Sequence, residues 1–161
     1  MVRRVEPRDA QRLAAWLLVP YALGYIACFA WLGVWTGWIL RPWRMLLVQA
    51  VMPLGAGVLC AAALAGQVGP LWLTISGVLI GFGFGAIYAA SLFYSLRLPA
   101  GSSRAAGLHE TFVGAGNTLG PALFGVVVAC LWPGFAGLAV AGAVAAALAV
   151  AVQVPLLLRR A

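Results

Sequence analysis

Apolar positions in this chain form long, nearly charge-free stretches, and short basic or glycine- and proline-rich segments separate them. The first stretch, Leu13 to Leu40, contains 28 residues without a charge. One membrane-spanning helix needs about 20 apolar residues, so two spans would need about 40. We therefore predict a single helix over 13–40, with a bend at Pro20, where the proline ring removes one backbone donor.

The two later apolar stretches are each long enough for two spans. The run from Met45 to Leu96 is divided by GQVGP at 66–70, and the run from Glu110 to Leu158 is divided by WPGF at 132–135. Glycine and proline at these points are typical of turns. We predict an all-α, polytopic transmembrane helical bundle of about five spans. A basic N-terminal tail (1–12) precedes this five-helix domain (13–161).

Composition supports a membrane protein, because 65% of the residues are hydrophobic, 8% are charged and the mean hydropathy is +1.05. A soluble domain of this size has too little polar surface at such a composition. The lipid bilayer is thus the expected surrounding. All ten basic residues are Arg in a chain rich in Ala, Gly, Val and Leu, which indicates a GC-rich bacterial genome and the bacterial cytoplasmic (inner) membrane.

The positions of the arginines predict the orientation. They lie at segment ends and form no basic face, which argues against a nucleic-acid partner. With five spans, one side carries Arg41, Arg44, Arg97, Arg104, Arg159 and Arg160, and the turns on the other side are uncharged. The positive-inside rule then places the C-terminus in the cytoplasm. Arg3, Arg4, Arg8 and Arg12 conflict with this orientation, so either the tail is an exception or the first span is incomplete.

Catalytic and metal-binding chemistry is not indicated. Cys28, Cys60 and Cys130 lie inside apolar stretches, where we interpret them as small buried hydrophobic residues. One His and few acids provide neither a metal site nor a nucleophile with a base and an orienting acid. We expect no enzyme activity, no metal and no cofactor, and the absence of a phosphate-binding loop favours secondary transport.

Helices three and four each combine glycine and polar side chains on one face. At about 100° per residue, helix three aligns Gly77, Gly81, Tyr88, Ser91 and Ser95, with Gly85 at the edge. The glycines fit a packing contact better than a cavity wall. Tyr88 and Ser91 fit equally well as substrate-binding residues or as donors to neighbouring backbone.

Helix four aligns Glu110, Gly114, Asn117, Pro121 and Gly125. Glu110 is the one acid after residue 9, and it begins a helix close to Arg104, which favours a structural anchor at the interface. The alternative is a gating or proton-coupling group formed by Arg104, His109 and Glu110. Asn117 is a candidate substrate-binding residue, although a hydrogen bond between helices explains it equally well.

Aromatic residues are concentrated in helix one. Trp16, Trp35 and Trp38, with Trp43, lie near the predicted helix ends and are interpreted as residues of the membrane interface. Tyr21 and Tyr25 lie one turn apart inside the span. We therefore include them among the candidate substrate-binding residues.

Two segments carry a resemblance to a known family. They contain Gly81, Gly83, Gly85, Tyr88, Ser91, Leu92, Tyr94, Ser95 and Leu96, and then Ala106, Gly107, His109, Glu110, Gly114, Gly116, Leu119, Gly120, Pro121 and Gly125. This pattern resembles helices eight to twelve of the C-terminal half of major facilitator superfamily transporters. The loop GWILRPWRM has Gly37 and Arg41 of that family's loop signature but lacks its Asp.

The resemblance implies small-molecule transport by two halves that rock about a central cavity. One half of that arrangement would be absent here, so transport would require a partner half or self-assembly. Two other hypotheses stay open. The chain is a non-transporting subunit that acts as a scaffold or assembly factor in a larger membrane complex, or it is a truncated gene product.

Overall fold

The computed structural model describes residues 7–39, 41–96 and 135–151, and single positions at 107, 110, 111, 113–115, 119, 122 and 126. Its helices are α1 (Pro7–Val34), α2 (Pro42–Gln49), α3 (Val51–Leu64), α4 (Pro70–Leu96) and α5 (Phe135–Ala151), with a 3-10 turn at Thr36–Trp38. Within these residues, three segments are long and apolar enough to cross a membrane: Ala15–Val34, Trp43–Leu64 and Pro70–Phe93. The predicted all-helical fold is confirmed for these residues, whereas the count of five spans stays a prediction.

The first apolar stretch forms one long helix, but the helix ends at Val34, before Leu40. The chain then turns through Thr36–Trp38, and the Trp38 indole nitrogen donates a hydrogen bond to the Leu32 carbonyl over 3.2 Å. Trp38 is buried and packs edge-on against Phe93. The turn folds the Trp38 ring back into the core, where it does not face lipid headgroups directly, and its level in the membrane stays a prediction. Trp16 and Trp43 are exposed, as an interface position requires.

The second span is interrupted near its start. Ala50 separates α2 from α3 but keeps helical backbone angles (φ −62°, ψ −14°), and its N–H still bonds the Leu46 carbonyl. Pro53 has no N–H for the carbonyl of Gln49, so one bond of the helical ladder is missing at this point. The predicted helix at 45–65 is thus one span with a local defect.

The turn at residues 65–69 has a chemical cause in Gly66. The N–H of Gly66 bonds the Ala63 carbonyl and the N–H of Gln67 bonds the Ala62 carbonyl, which is a Schellman motif. Gly66 has φ +68°, a backbone angle that side chains with a Cβ disfavour. The predicted break between helices two and three is confirmed.

The described helices are arranged in the order α1, α4, α3, α5, with each helix packed against the next. Tyr21 meets Gly81 and Trp38 meets Phe93, so α1 and α4 run in the same direction. Met52 meets Gly83 and Leu59 clusters with Leu73, so α3 runs in the opposite direction.

Helix α5 runs parallel to α4. Ala139, near its start, clusters with Leu59 and Leu73. Ala146, seven residues further along, clusters with Met52. The start of α5 thus lies beside the 65–69 turn, whereas α4 ends near Trp38. Leu96 and Phe135 are therefore at opposite ends of the bundle.

Close backbone approach joins α1 to α4. A Cβ on Gly81 would collide with the Tyr21 carbonyl oxygen, one on Gly24 with the Val78 carbonyl, and one on Gly77 would lie 2.6 Å from the Leu17 carbonyl. Such spacing brings many backbone atoms into van der Waals contact, which is the main attraction between helices in lipid. The prediction that the glycines of helix three form a packing contact is confirmed.

Candidate functional site

An aromatic row lies on α1 beside the stripe that packs against α4. The buried stripe consists of Pro20, Gly24, Cys28 and Leu32, at intervals of four residues. Tyr21, Tyr25 and Phe29 each follow a member of this stripe, so they lie at its edge. The sequence spacing therefore puts three rings at the edge of the α1–α4 contact instead of inside it.

Two rings of α4 complete the row. Tyr25 is its centre, with ring centroids 4.9 Å from Phe29, 6.1 Å from Phe84 and 6.4 Å from Tyr88. Phe29 also lies 6.2 Å from Tyr88, and Tyr21 lies 6.1 Å from Phe84. These separations lie within the range of favourable aromatic contacts. We call Tyr21, Tyr25, Phe29, Phe84 and Tyr88 the aromatic face.

A carboxylate lies at one end of this face. The Tyr88 hydroxyl donates a hydrogen bond to Oε1 of Glu110 over 3.0 Å. Glu110 is helical, and the next residue, Thr111, donates its hydroxyl to the Gly107 carbonyl over 2.8 Å. Residues 22 positions apart in sequence thereby form one polar pair at the edge of the aromatic face.

The position of Tyr88 along the candidate span follows from helix geometry. Tyr88 lies inside the candidate span Pro70–Phe93, five residues before its end. This is about 7.5 Å along a helix at 1.5 Å per residue. A carboxylate bonded to a side chain of a span is costly wherever lipid surrounds it. The side of α1 and α4 that carries Glu110 therefore requires polar surroundings, such as water or protein, whereas the exposed Leu23 and Ile26, on another side of α1, suit lipid.

Four of the sequence-predicted site residues meet here: Tyr21, Tyr25, Tyr88 and Glu110. Ser91 is half-buried, about one turn beyond Tyr88 on α4. Asn117, His109 and Arg104 lie outside the described residues, as does Cys130. The structure therefore brings together the aromatic candidates and the acid that the sequence assigned to separate helices.

Two members of the aromatic face, Phe29 and Phe84, were missed by the sequence analysis. Both were detectable in principle, since Phe29 follows Tyr25 by four residues and Phe84 precedes Tyr88 by four, the spacing of neighbours on one helix face. The spacing alone does not predict that α1 packs against α4.

The basic loop after α1 is a separate site. Arg44 donates from Nη1 to the Gly37 carbonyl over 2.9 Å, and its guanidinium lies 5.3 Å from the ring centre of Trp43. Arg44 therefore braces the turn against the start of the second span. Arg41 is exposed beside it. In the part of the chain that the structure describes, no three His, Cys, Asp or Glu side chains lie together.

Two buried polar atoms lie in the core, away from the aromatic face. Within the described residues, neither Oε1 of Gln49 nor Oγ of Ser76 has a hydrogen-bond partner. Gln49 ends α2, whereas Ser76 lies near the start of α4, toward the 65–69 turn. The two side chains are thus at different levels of the bundle and do not form a common site.

Comparison with known proteins gives no family for this chain: it matches no protein-family model, no curated protein and no solved structure.

Proposed function

We propose that this chain is one part of a secondary small-molecule transporter and that the aromatic face with Glu110 borders its substrate path. The observation that carries the proposal is the hydrogen bond from Tyr88 to Glu110. It ties an acid to a membrane-spanning helix on a side that also presents five aromatic rings. An ionisable side chain bonded to a spanning helix is by default a candidate for a substrate or ion path.

The proposal includes the finer features expected from the sequence. The chain forms about five spans in a bacterial inner membrane, with a cytoplasmic C-terminus, and corresponds to helices eight to twelve of a major facilitator transporter. The opposite positions of Leu96 and Phe135 support a further crossing between α4 and α5. The path needs a second wall, which a partner half or a second copy of the chain provides, because alternating access requires two bodies that move about one site.

Cysteine labelling tests whether the aromatic face borders water. In a background with Cys28, Cys60 and Cys130 replaced by Ala, Tyr25→Cys is compared with Ile26→Cys in vesicles treated with a membrane-impermeant maleimide. Tyr25 belongs to the aromatic face, whereas Ile26 is exposed at the same depth on the lipid-facing side. We expect labelling of Tyr25→Cys and none of Ile26→Cys. Equal lack of labelling in vesicles and in detergent would contradict a water-lined path.

The rival function is a scaffold whose aromatic face is permanently covered by another protein. A fixed partner would protect Tyr25→Cys in native membranes and release it for labelling once the complex is dissociated in detergent. Native mass spectrometry of the chain extracted from its own membrane identifies that partner. A second transporter half or a homodimer supports transport, whereas a large assembly of unrelated proteins supports the scaffold.

A further inference from the structure

The chemistry of the aromatic face restricts the ligand that it can hold. Tyr25 lies at the centre of four ring contacts and is half-buried, so a group bound on its exposed side lies close to several rings. Aromatic rings carry negative charge on their faces and attract cations within about 6 Å of the centroid. Anions are disfavoured at the same positions for the same reason.

The carboxylate of Glu110 adds charge complementarity. It lies at the Tyr88 and Phe29 end of the face, because Tyr88 donates to it and contacts Phe29. A cation placed between these rings and Glu110 would interact with both, and the attraction is strengthened where water is partly excluded. A neutral ligand gains nothing from the charge of Glu110.

The dimensions of the face indicate the shape of the ligand. Tyr21 and Phe29 lie eight residues apart on α1, and both contact rings of α4. This separation is about 12 Å along the helix axis. The charged end is at Phe29, and the Tyr21 end, formed with Phe84, has no acid among the described residues.

We propose that the aromatic face and Glu110 bind an organic cation with a bulky apolar body, with the cationic centre between Tyr25, Tyr88 and Glu110. This assignment rests on the proposed transport function, since it names the substrate class of the same path. The cationic centre contacts the carboxylate of Glu110, and the rings of Tyr21 and Phe84 contact the apolar body.

Binding of two ions of equal size and opposite charge tests the assignment. The chain is purified with every protein that accompanies it from its own membrane and placed in phosphatidylcholine nanodiscs. Equilibrium binding is then measured with tetraphenylphosphonium and with tetraphenylborate. We expect saturable binding of the phosphonium and only linear partitioning of the borate. Equal behaviour of the two ions would show hydrophobic partitioning and overturn the proposal.

Substitutions at Glu110 and Tyr25 test whether these residues form the phosphonium-binding site. Glu110→Gln should weaken phosphonium binding by about tenfold through loss of the charge. Tyr25→Leu should weaken it by about fivefold through loss of the central ring. Tyr25→Phe keeps the ring and should retain most of the affinity that Tyr25→Leu loses. The control Ile26→Ala changes an exposed residue outside the aromatic face and should bind as the unaltered chain does. Unchanged affinity in Glu110→Gln, with altered melting temperature alone, would assign the carboxylate to a structural pairing such as that with Arg104 and overturn the cation site.

The labelling experiment separates the two proposals. Labelling of Tyr25→Cys without phosphonium binding overturns the cation assignment and leaves the water-lined path intact. Absence of labelling in vesicles and in detergent overturns the path itself, whatever the binding result.

Discussion

Helix α4 packs against α1 on one side and α3 on the other, and the two contacts differ in what surrounds them. Toward α3, Gly83 meets Met52 and Gly55 meets Leu79 and Ile80, and alanines of α5 continue the contact. Toward α1, glycines meet backbone carbonyls, and the edge of the contact opens into the aromatic face with Glu110. Small residues alone therefore do not mark a functional site, because both contacts contain them.

The difference lies in the residues beside the glycines. Next to the α3 contact are mostly aliphatic and alanine side chains, and the ring of Phe84 is the one member of the aromatic face that packs against them. Next to the α1 contact are three tyrosines and a carboxylate, which offer hydroxyl, π and charged groups. The α1 contact thus both holds the helices together and sets the spacing of the rings across the face.

The largest effect is expected for Gly81→Leu. Its side chain would be forced into the Tyr21 backbone, so α1 and α4 would separate and the chain should lose at least about 3 kcal/mol of stability. The measurement is the apparent melting temperature in mild detergent. Gly57→Leu on α3 is the control, because nothing lies within 4 Å of a Cβ there. Similar losses in both variants would show that the close approach of α1 and α4 is not what stabilises the fold.

A pair of alanine variants compares the two contacts directly. Gly81→Ala and Gly83→Ala should each cost about 1–3 kcal/mol, since each added methyl meets backbone of the neighbouring helix. Only Gly81→Ala should also weaken tetraphenylphosphonium binding, measured well below both melting temperatures, because it shifts α1 rings against α4 rings. Equal weakening by Gly83→Ala would mean that the aromatic face depends on the whole bundle.

The smallest effect is expected for the polar pair at the end of the face. Tyr88→Phe keeps the ring contacts and removes the hydroxyl, so it should cost about 1 kcal/mol, the net value of one hydrogen bond. Combined with Glu110→Ala, it should cost less than the sum of the two single changes, because both remove the same bond. Melting temperatures of the four chains measure this coupling. Strict additivity would show that Tyr88 and Glu110 do not interact in the membrane-embedded protein.

Once a substrate is found, a transport assay tests whether residues beside the α1 contact act in uptake. Tyr88→Phe should reduce uptake in proteoliposomes without reducing the amount of protein in the membrane, because the aromatic face stays folded while the carboxylate loses its orienting donor. Asn117→Leu is predicted to act in the same way. Normal uptake in both variants would remove them from the substrate path.

Much of the fold was predictable because its causes are local. Length and hydrophobicity predicted the first three spans, and Gly66 and Pro70 predicted the break between the second and third. The end of α1 was not predictable, because apolar residues continue to Leu40. After Val34 the chain turns, and the Trp38 ring bonds the Leu32 carbonyl and packs against Phe93, a contact that requires α4.

The sequence by itself determined that this chain is helical and membrane-embedded, and which residues share a face of each helix, since these properties follow from hydrophobicity and the 3.6-residue period. Only the tertiary structure decided which faces meet. It paired Tyr21 and Tyr25 of α1 with Tyr88 of α4 and brought Glu110 to the same edge. The physical reason is that helices in lipid associate through shape, and the fit of Gly24, Gly77 and Gly81 against a neighbouring backbone exists only in three dimensions.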